Sequence, residues 1–431
     1  DWELQSGGAV KILCSEQNEA AKIAAHNLAD DIGKVFSGKI AVTLSFSGEA
    51  HGRAGETAED DACRNGSGTV IVIRQAELGH REAYSHSVKD GVLYIEGQDR
   101  RGIIYGIYEL SRWLGVSPWY YFADVPVKHR DKAVLPGGYF YTDYPSVEYR
   151  GIFINDEEEL DKWVRLHLGE ETIGVKAYEK IFELLLRLGA NYIWPAMHVN
   201  SFNVKRENGE LADRMGIVIG TSHCDMLMRS NNREWYPWLE KKGYKDVEYD
   251  YSIPGKNRDA LNEYWRESVE QNKDFEVGYT LGMRGIHDSG FETKSLKGLQ
   301  GEELRKAKIE LLQTIIDAQE KILSETLDKE PLKSFVPYKE VLELYDNGLR
   351  VPEDLTLIWT NDNYGYIRRY PGDKEKNRKG GNGIYYHNSY WAGPGMSYLF
   401  INSIPLAHTR NELYKAWCEG IRKVWVLNVG A

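Results

Sequence analysis

Long apolar runs, an excess of positive charge and abundant cysteine are all missing from this chain of 431 residues. No segment approaches the ~20 apolar residues of a bilayer-spanning helix. No basic stretch followed by an apolar one marks a signal peptide. The sequence opens on Asp1-Trp2 rather than Met, which suggests a processed or trimmed start. The net charge of −11 argues against a nucleic-acid partner, because a phosphate backbone is held by clustered Lys and Arg. The 4 cysteines, Cys14, Cys63, Cys224 and Cys418, are scattered without C-x-x-C or zinc spacing. They define neither a zinc site nor a redox compartment.

What is present fits a large soluble globular protein. Apolar residues make up 42% and charged residues 28%, enough for sizeable cores under a polar surface. The 12 Trp and 28 Tyr exceed what a core needs. Such an excess suits stacking on sugar faces, although large enzymes also carry aromatics for packing.

Residues 1–140 predict a small α/β domain. Strand candidates are "AVKILC", "IAVTLSF", "TVIVIR" and a hairpin turned at Asp90-Gly91. Helices are expected in "EQNEAAKIAAHNLADDIGKVF" and in "RRGIIYGIYELSRWLG", the latter stopped at Gly115. The Gly- and acid-rich "SGEAHGRAGETAEDDACRNGSG" predicts a surface loop. No Gly-rich phosphate loop or nucleophile elbow occurs here.

Over residues 145–431 the pattern alternates strand and helix. Eight strand candidates begin near Glu148, Asn191, Gly216, Val277, Ser334, Leu355, Gly383 and Val424. Eight strands alternating with helices predict a (β/α)8 TIM barrel. The eighth strand candidate is the last segment, so a barrel lacking its last helix is expected, as is a natural chain that continues. A doubly wound sheet is the rival, but no nucleotide-binding signature supports it.

Catalytic groups in a barrel come from the carboxyl ends of its strands. In order, those ends carry Asp156, then Trp194 with His198 and Asn200, then His223 with Asp225. Arg284, His287 and Asp288 follow, then Glu340, then Asn361 to Asn363, then His387 and Tyr390, and finally Asn428. Asp156 is either catalytic or a helix cap. Arg284 and Asp288 either serve the site or simply pair with each other. Glu340 follows an apolar strand, whose desolvation would raise its pKa and suit a general acid; the alternative is an ordinary first-turn glutamate. His223 and His387 lack metal-ligand spacing, and no metal is expected. Several carboxylates with an arginine and aromatics suit glycoside hydrolysis best. A barrel that binds sugar without cleaving it is the competing reading.

The strings "YRGIFINDEE", "LLRLGANYIWPAMH", "NGELADRMGIVIGTSH", "TLGMRG", "PYKEV", "TNDNYGYIRR" and "HNSYWAGP", in this order, resemble glycoside hydrolase family 115, the xylan α-glucuronidases. The resemblance spans essentially the whole chain, and residues 1–140 look like the domain that precedes barrels in α-glucuronidases and β-hexosaminidases. It implies removal of α-1,2-linked (4-O-methyl-)glucuronic acid from glucuronoxylan, with inversion and without a cofactor. It implies Glu340 as general acid, with Asp288 or Asp156 as the base that orients water. Arg284 would grip the uronate carboxylate, and Asn363, His387, Tyr390, His223, Trp194 and Asn200 would line the sugar site. A secreted or periplasmic location is expected, with no membrane partner. A homodimer through domains following the barrel is a further expectation. The chain departs from the family's pattern at Cys224-Asp225-Met226 and at Ile286-His287. Alternatives are an acidic-glycan-binding barrel and an exo-glycosidase of other specificity.

Overall fold

The computed structural model describes residues 1–46, 68–156, 159–195, 197–291, 293–388 and 403–430. It divides into two compact units, and the first comprises Asp1–Ser146, Lys180–Asn191 and Arg214–Gly216.

In the first unit β1 (Trp2–Gln5) pairs antiparallel with β7 (Lys132–Leu135). A 6-stranded sheet holds β2 (Ala9–Cys14), β3 (Ala41–Phe46), β4 (Thr69–Gln75), β5 (Tyr84–Lys89), β6 (Val92–Gly97) and β8 (Phe140–Asp143). Its order is β3-β2-β4-β6-β5-β8. The β5–β6 hairpin turns at Asp90 and Gly91, both at positive φ, as the Asp-Gly pair predicts. Helix α1 (Glu19–Val35) is capped by the Asn18 side chain, and α2 (Arg100–Leu114) by Asp99. The loop expected between β3 and β4 falls on residues 47–67, which lie outside the described residues.

The second unit is built on 8 parallel strands. They are β9 (Tyr149–Ile154), β10 (Tyr192–Pro195), β11 (Val218–Ile219), β12 (Gly278–Leu281), β13 (Leu332–Phe335), β14 (Thr356–Thr360), β15 (Asn382–His387) and β16 (Ile421–Asn428). The sheet order is β11-β10-β9-β16-β15-β14-β13-β12. A parallel bridge between Ile219 and Val277 joins the two end strands and completes the ring. All eight expected strands are present, and each neighbours its sequence neighbour around the ring.

The interior of the barrel is packed, not hollow. Phe153, Tyr192, Trp194, Val218, Ile358, Tyr385, Val424 and Val426 fill it as one buried cluster. Gly220 leaves room for this: a Cβ there would collide with Tyr192 Oη and Trp194 Nε1. Outside the ring, the long helix Gly301–Thr326 buries Leu311, Leu312, Ile315, Ile316 and Ile322, the stripe its 3.6-residue period specifies. None of the described helices is long and apolar enough to cross a membrane.

Candidate active site

The loops after β12 and β13 bring four charged side chains together, and the loop after β11 adds His223 and Cys224. Arg284 lies just past β12, with its side chain only 3% exposed. Its Nε and Nη2 donate to the two oxygens of Glu340, each at 3.0 Å. Its Nη1 donates to Asp288 Oδ1. Asp288 also accepts from His223 Nε2 at 3.0 Å, from the Cys224 thiol at 3.4 Å and, on Oδ2, from Lys339 Nζ at 3.1 Å. Two cations therefore balance two carboxylates. The guanidinium is sunk beneath them, whereas the carboxylate side chains are about a third exposed (31% and 34%). Lys339 is the more open cation, at 49%.

The local backbone is bent to reach this arrangement. His287, Asp288 and Lys339 all have positive φ, between 52° and 60°. Non-glycine residues persist in that region only when their surroundings hold them there. Asn231 supplies much of that hold. Its Nδ2 donates to the Cys224 and Gly285 carbonyls at 3.0 Å each, and its Oδ1 accepts from His287 N–H at 3.2 Å. One side chain thus staples the loop after β11 to the loop after β12. Gly285 is required beside it, since a Cβ would collide with Ser289 Oγ and the Gly290 carbonyl.

The electrostatics follow from burial and from these pairs. Burial, and then Arg284 and Lys339, push His223 well below the usual histidine range. Burial, with His223 and Lys339, pushes His387 down to about 3. Both imidazoles are neutral at physiological pH, so His223 donates its Nε2–H to Asp288. His387 donates Nδ1–H to Asn361 Oδ1 at 3.0 Å. Burial raises Glu340, but the hydrogen bonds and charge of Arg284 outweigh it and leave the carboxyl below its ordinary range. Burial and Arg284 lower Lys339.

Several expected site residues have other surroundings than the sequence suggests. The desolvation expected to make Glu340 an acid is overridden by its arginine partner, which keeps it ionised in this state. It also starts the helix Glu340–Asp346 rather than ending a strand. The Arg284 fork is engaged by the protein's own carboxylates, Asp288 and Glu340. Asp156 is buried and accepts from the N–H groups of His198, Val199 and Asn200 at 3.4, 3.0 and 2.6 Å. Its carboxylate shapes the loop after β10. Trp194 is 0% exposed, inside the barrel cluster, and donates to Tyr192 Oη at 2.9 Å, so it offers no stacking face. Asn363 sits exposed on a turn organised by Asp362, and Asn361 is the residue bonded to His387. Asn200 is buried, with both amide atoms unpartnered among the described residues. Tyr390 lies outside the described residues.

Sequence reasoning leaves Lys339 and Asn231 out of the site and gives Asp225 no role. Lys339 could have been found from its place beside Glu340. The Asn231 staple has no local signal. Asp225 is fully buried, and burial pushes its carboxyl up to about 8, against the Asn231 N–H that it accepts at 3.0 Å. The folded chain therefore keeps a proton that the unfolded chain releases near pH ~4. That contribution is complete below the unfolded value and is lost as pH rises toward about 8. Asp225→Asn should flatten the decline. Its unfolding free energy relative to wild type should gain up to about 1.4 kcal/mol per pH unit across the window, measured by denaturant titration.

The ring of parallel strands thus carries paired carboxylates, a buried arginine and neutral imidazoles beyond its carboxyl ends, where barrel enzymes place their catalytic groups. The sequence model described as glycosyl hydrolase family 115 matches residues 142–431. The chain belongs to that family. It is similar to the solved structure of BtGH115A, a 4-O-methyl-α-glucuronidase of family GH115 with specificity for decorated arabinogalactans. Identity is 34% and the TM-score 0.85, over 100% of this chain and 55% of that one. The chain thus spans about half the length of that protein. More distant structures share only the fold. A GH138 enzyme targeting pectin rhamnogalacturonan II is 13% identical, with a TM-score of 0.53 over 98% of this chain and 46% of its own. Streptomyces plicatus N-acetyl-β-hexosaminidase is 12% identical, with a TM-score of 0.52 over 99% and 82%. Comparison with curated protein sequences gives no match.

Proposed function

We propose that this protein is an inverting α-glucuronidase that removes α-1,2-linked glucuronic acid, or its 4-O-methyl ether, from glucuronoxylan. The observation that carries the reading is the shared arginine: Asp288 and Glu340 are held by one guanidinium, with Lys339 as a second and more open cation. In the free site two positive charges meet two negative ones. A uronate carboxylate brings a third negative charge and pairs with Lys339, the cation within its reach. One protein carboxyl is then left short of positive charge, and its pKa rises. Glu340 is the one that takes the proton, because its donors other than Arg284 are backbone N–H groups. Asp288 keeps His223 and Cys224 as well. Protonated Glu340 delivers its proton to the leaving xylose oxygen, and Asp288 activates water on the opposite face. Bound substrate thereby makes the acid that cleaves it.

The polymer that carries the uronate is the open choice of substrate. BtGH115A, acting on decorated arabinogalactans, favours that polymer as the second reading. Incubating the intact protein with glucuronoxylan and with glucuronidated arabinogalactan separates the two. Faster release of free uronic acid from glucuronoxylan is expected; faster release from arabinogalactan would overturn the xylan assignment. A polymeric substrate calls for a reaction outside the cytoplasm, in secreted or periplasmic form.

A further inference from the structure

We propose that His223, Cys224 and Asp288 form a binding site for a thiophilic divalent cation, with zinc the best match, at the mouth of the barrel. One ligand atom from each of the three, among them the Cys224 sulfur, lies within 4.8 Å of the others. His223 Nε2 is 3.0 Å and Cys224 Sγ 3.4 Å from the same Asp288 oxygen. Zinc bonds of about 2.0–2.1 Å to nitrogen and oxygen and about 2.3 Å to sulfur hold tetrahedral ligand atoms roughly 3.3–3.8 Å apart. Small side-chain adjustments therefore create a three-ligand site, with a fourth position left to solvent or another ligand. This is the nitrogen, sulfur and oxygen donor set that zinc and cadmium accept.

The charges also close. On coordination the Cys224 S–H bond breaks and its proton passes to solvent as a sulfur–metal bond forms, while the His223 Nε2 proton moves through solvent to Nδ1 and frees Nε2 to bind the ion as a neutral imidazole. Neutral imidazole, thiolate and carboxylate then sum to −2 against the +2 of the ion. Arg284 and Lys339 are the cations facing the site, and Glu340 is the remaining carboxylate. Arg284 gives up its Nη1 bond to Asp288 Oδ1, the oxygen that the ion takes, and stays neutralised by its two bonds to Glu340. Lys339 reaches Asp288 through the other oxygen and, half-exposed, can swing away. A metal ion here occupies the oxygen of Asp288 that the proposed reaction needs. The site is thus inhibitory, and that consequence rests on the glycosidase reading.

Titration of the intact wild-type protein with cadmium should raise an ultraviolet thiolate-to-metal absorption band that saturates at one equivalent. Cys224→Ser should abolish the band, and His223→Asn should weaken binding by about tenfold or more. X-ray absorption of the zinc-loaded wild type, which needs no variant to fold, should show one sulfur among nitrogen and oxygen ligands. A zinc shell without sulfur would overturn the site. So would a band that persists in Cys224→Ser, because the metal would then sit on Cys14, Cys63 or Cys418. Zinc bound at Cys224 with uronate release unchanged would overturn the inhibitory role alone. Absence of uronate release from metal-free protein would count against the glycosidase reading and leave the band unaffected.

Discussion

Glu340→Gln is expected to cut uronate release by about three orders of magnitude, with far less effect on substrate affinity. The amide keeps the size of the side chain and can still accept one Arg284 N–H, but it cannot pick up and deliver a proton. Wild-type Glu340 is ionised in the free site because Arg284 outweighs the effect of burial. The proposed reaction needs it protonated, so substrate binding must bring in about one proton. Calorimetry in buffers of different ionisation enthalpy should detect that uptake in the wild type and lose it in Glu340→Gln. Uptake that persists in the variant would move the acid role to Asp288. Unchanged turnover would remove Glu340 from the mechanism.

Arg284→Met is expected to have the largest combined effect, on the fold and on activity together. The guanidinium is 3% exposed and donates to both carboxylates. Removing it leaves Asp288 and Glu340 facing each other with Lys339 as the remaining cation. Breaking a buried pair costs roughly 3–5 kcal/mol; the partial exposure of the two carboxylates reduces this to about 2–4 kcal/mol. Thermal melting should show the loss, greater at neutral pH than at mildly acidic pH, where one carboxyl takes a proton. Activity should fall below detection. Arg284→Lys should not restore it, because one ammonium cannot make the three directed bonds.

The barrel was legible because its signals are local. Each strand segment is a short apolar run, and each helix carries a stripe at its own period, as in Gly301–Thr326. The identity of the strand ends was legible for the same reason, so Arg284, Asp288, Glu340 and His223 were found together. Their pairing was not. Glu340 lies 56 residues from Arg284, and the choice between a desolvated acid and an arginine-bound carboxylate depends on that contact. Trp194 has a strand-end position and an aromatic ring, yet the inward pleat of β10 turns it into the core. Asp156 reads from the sequence as a helix cap or a catalyst, and the bonds it accepts come from N–H groups 42 to 44 residues away. Asn231 acts through four hydrogen bonds to two loops, a role that residue type alone does not disclose. In the first unit, the buried bond from Arg187 to Asp31 spans 156 residues. That explains why a boundary drawn along the chain leaves out Lys180–Asn191.

Inversion of an α-linked uronate at this site needs a protein acid and a water held by a protein base. Proton NMR of the sugar released from glucuronoxylan by the intact protein, followed in the first minutes before mutarotation, tests it most directly. The β-anomer of (4-O-methyl-)glucuronic acid appearing first is the expected result. The α-anomer appearing first, or no uronic acid at all, would contradict it.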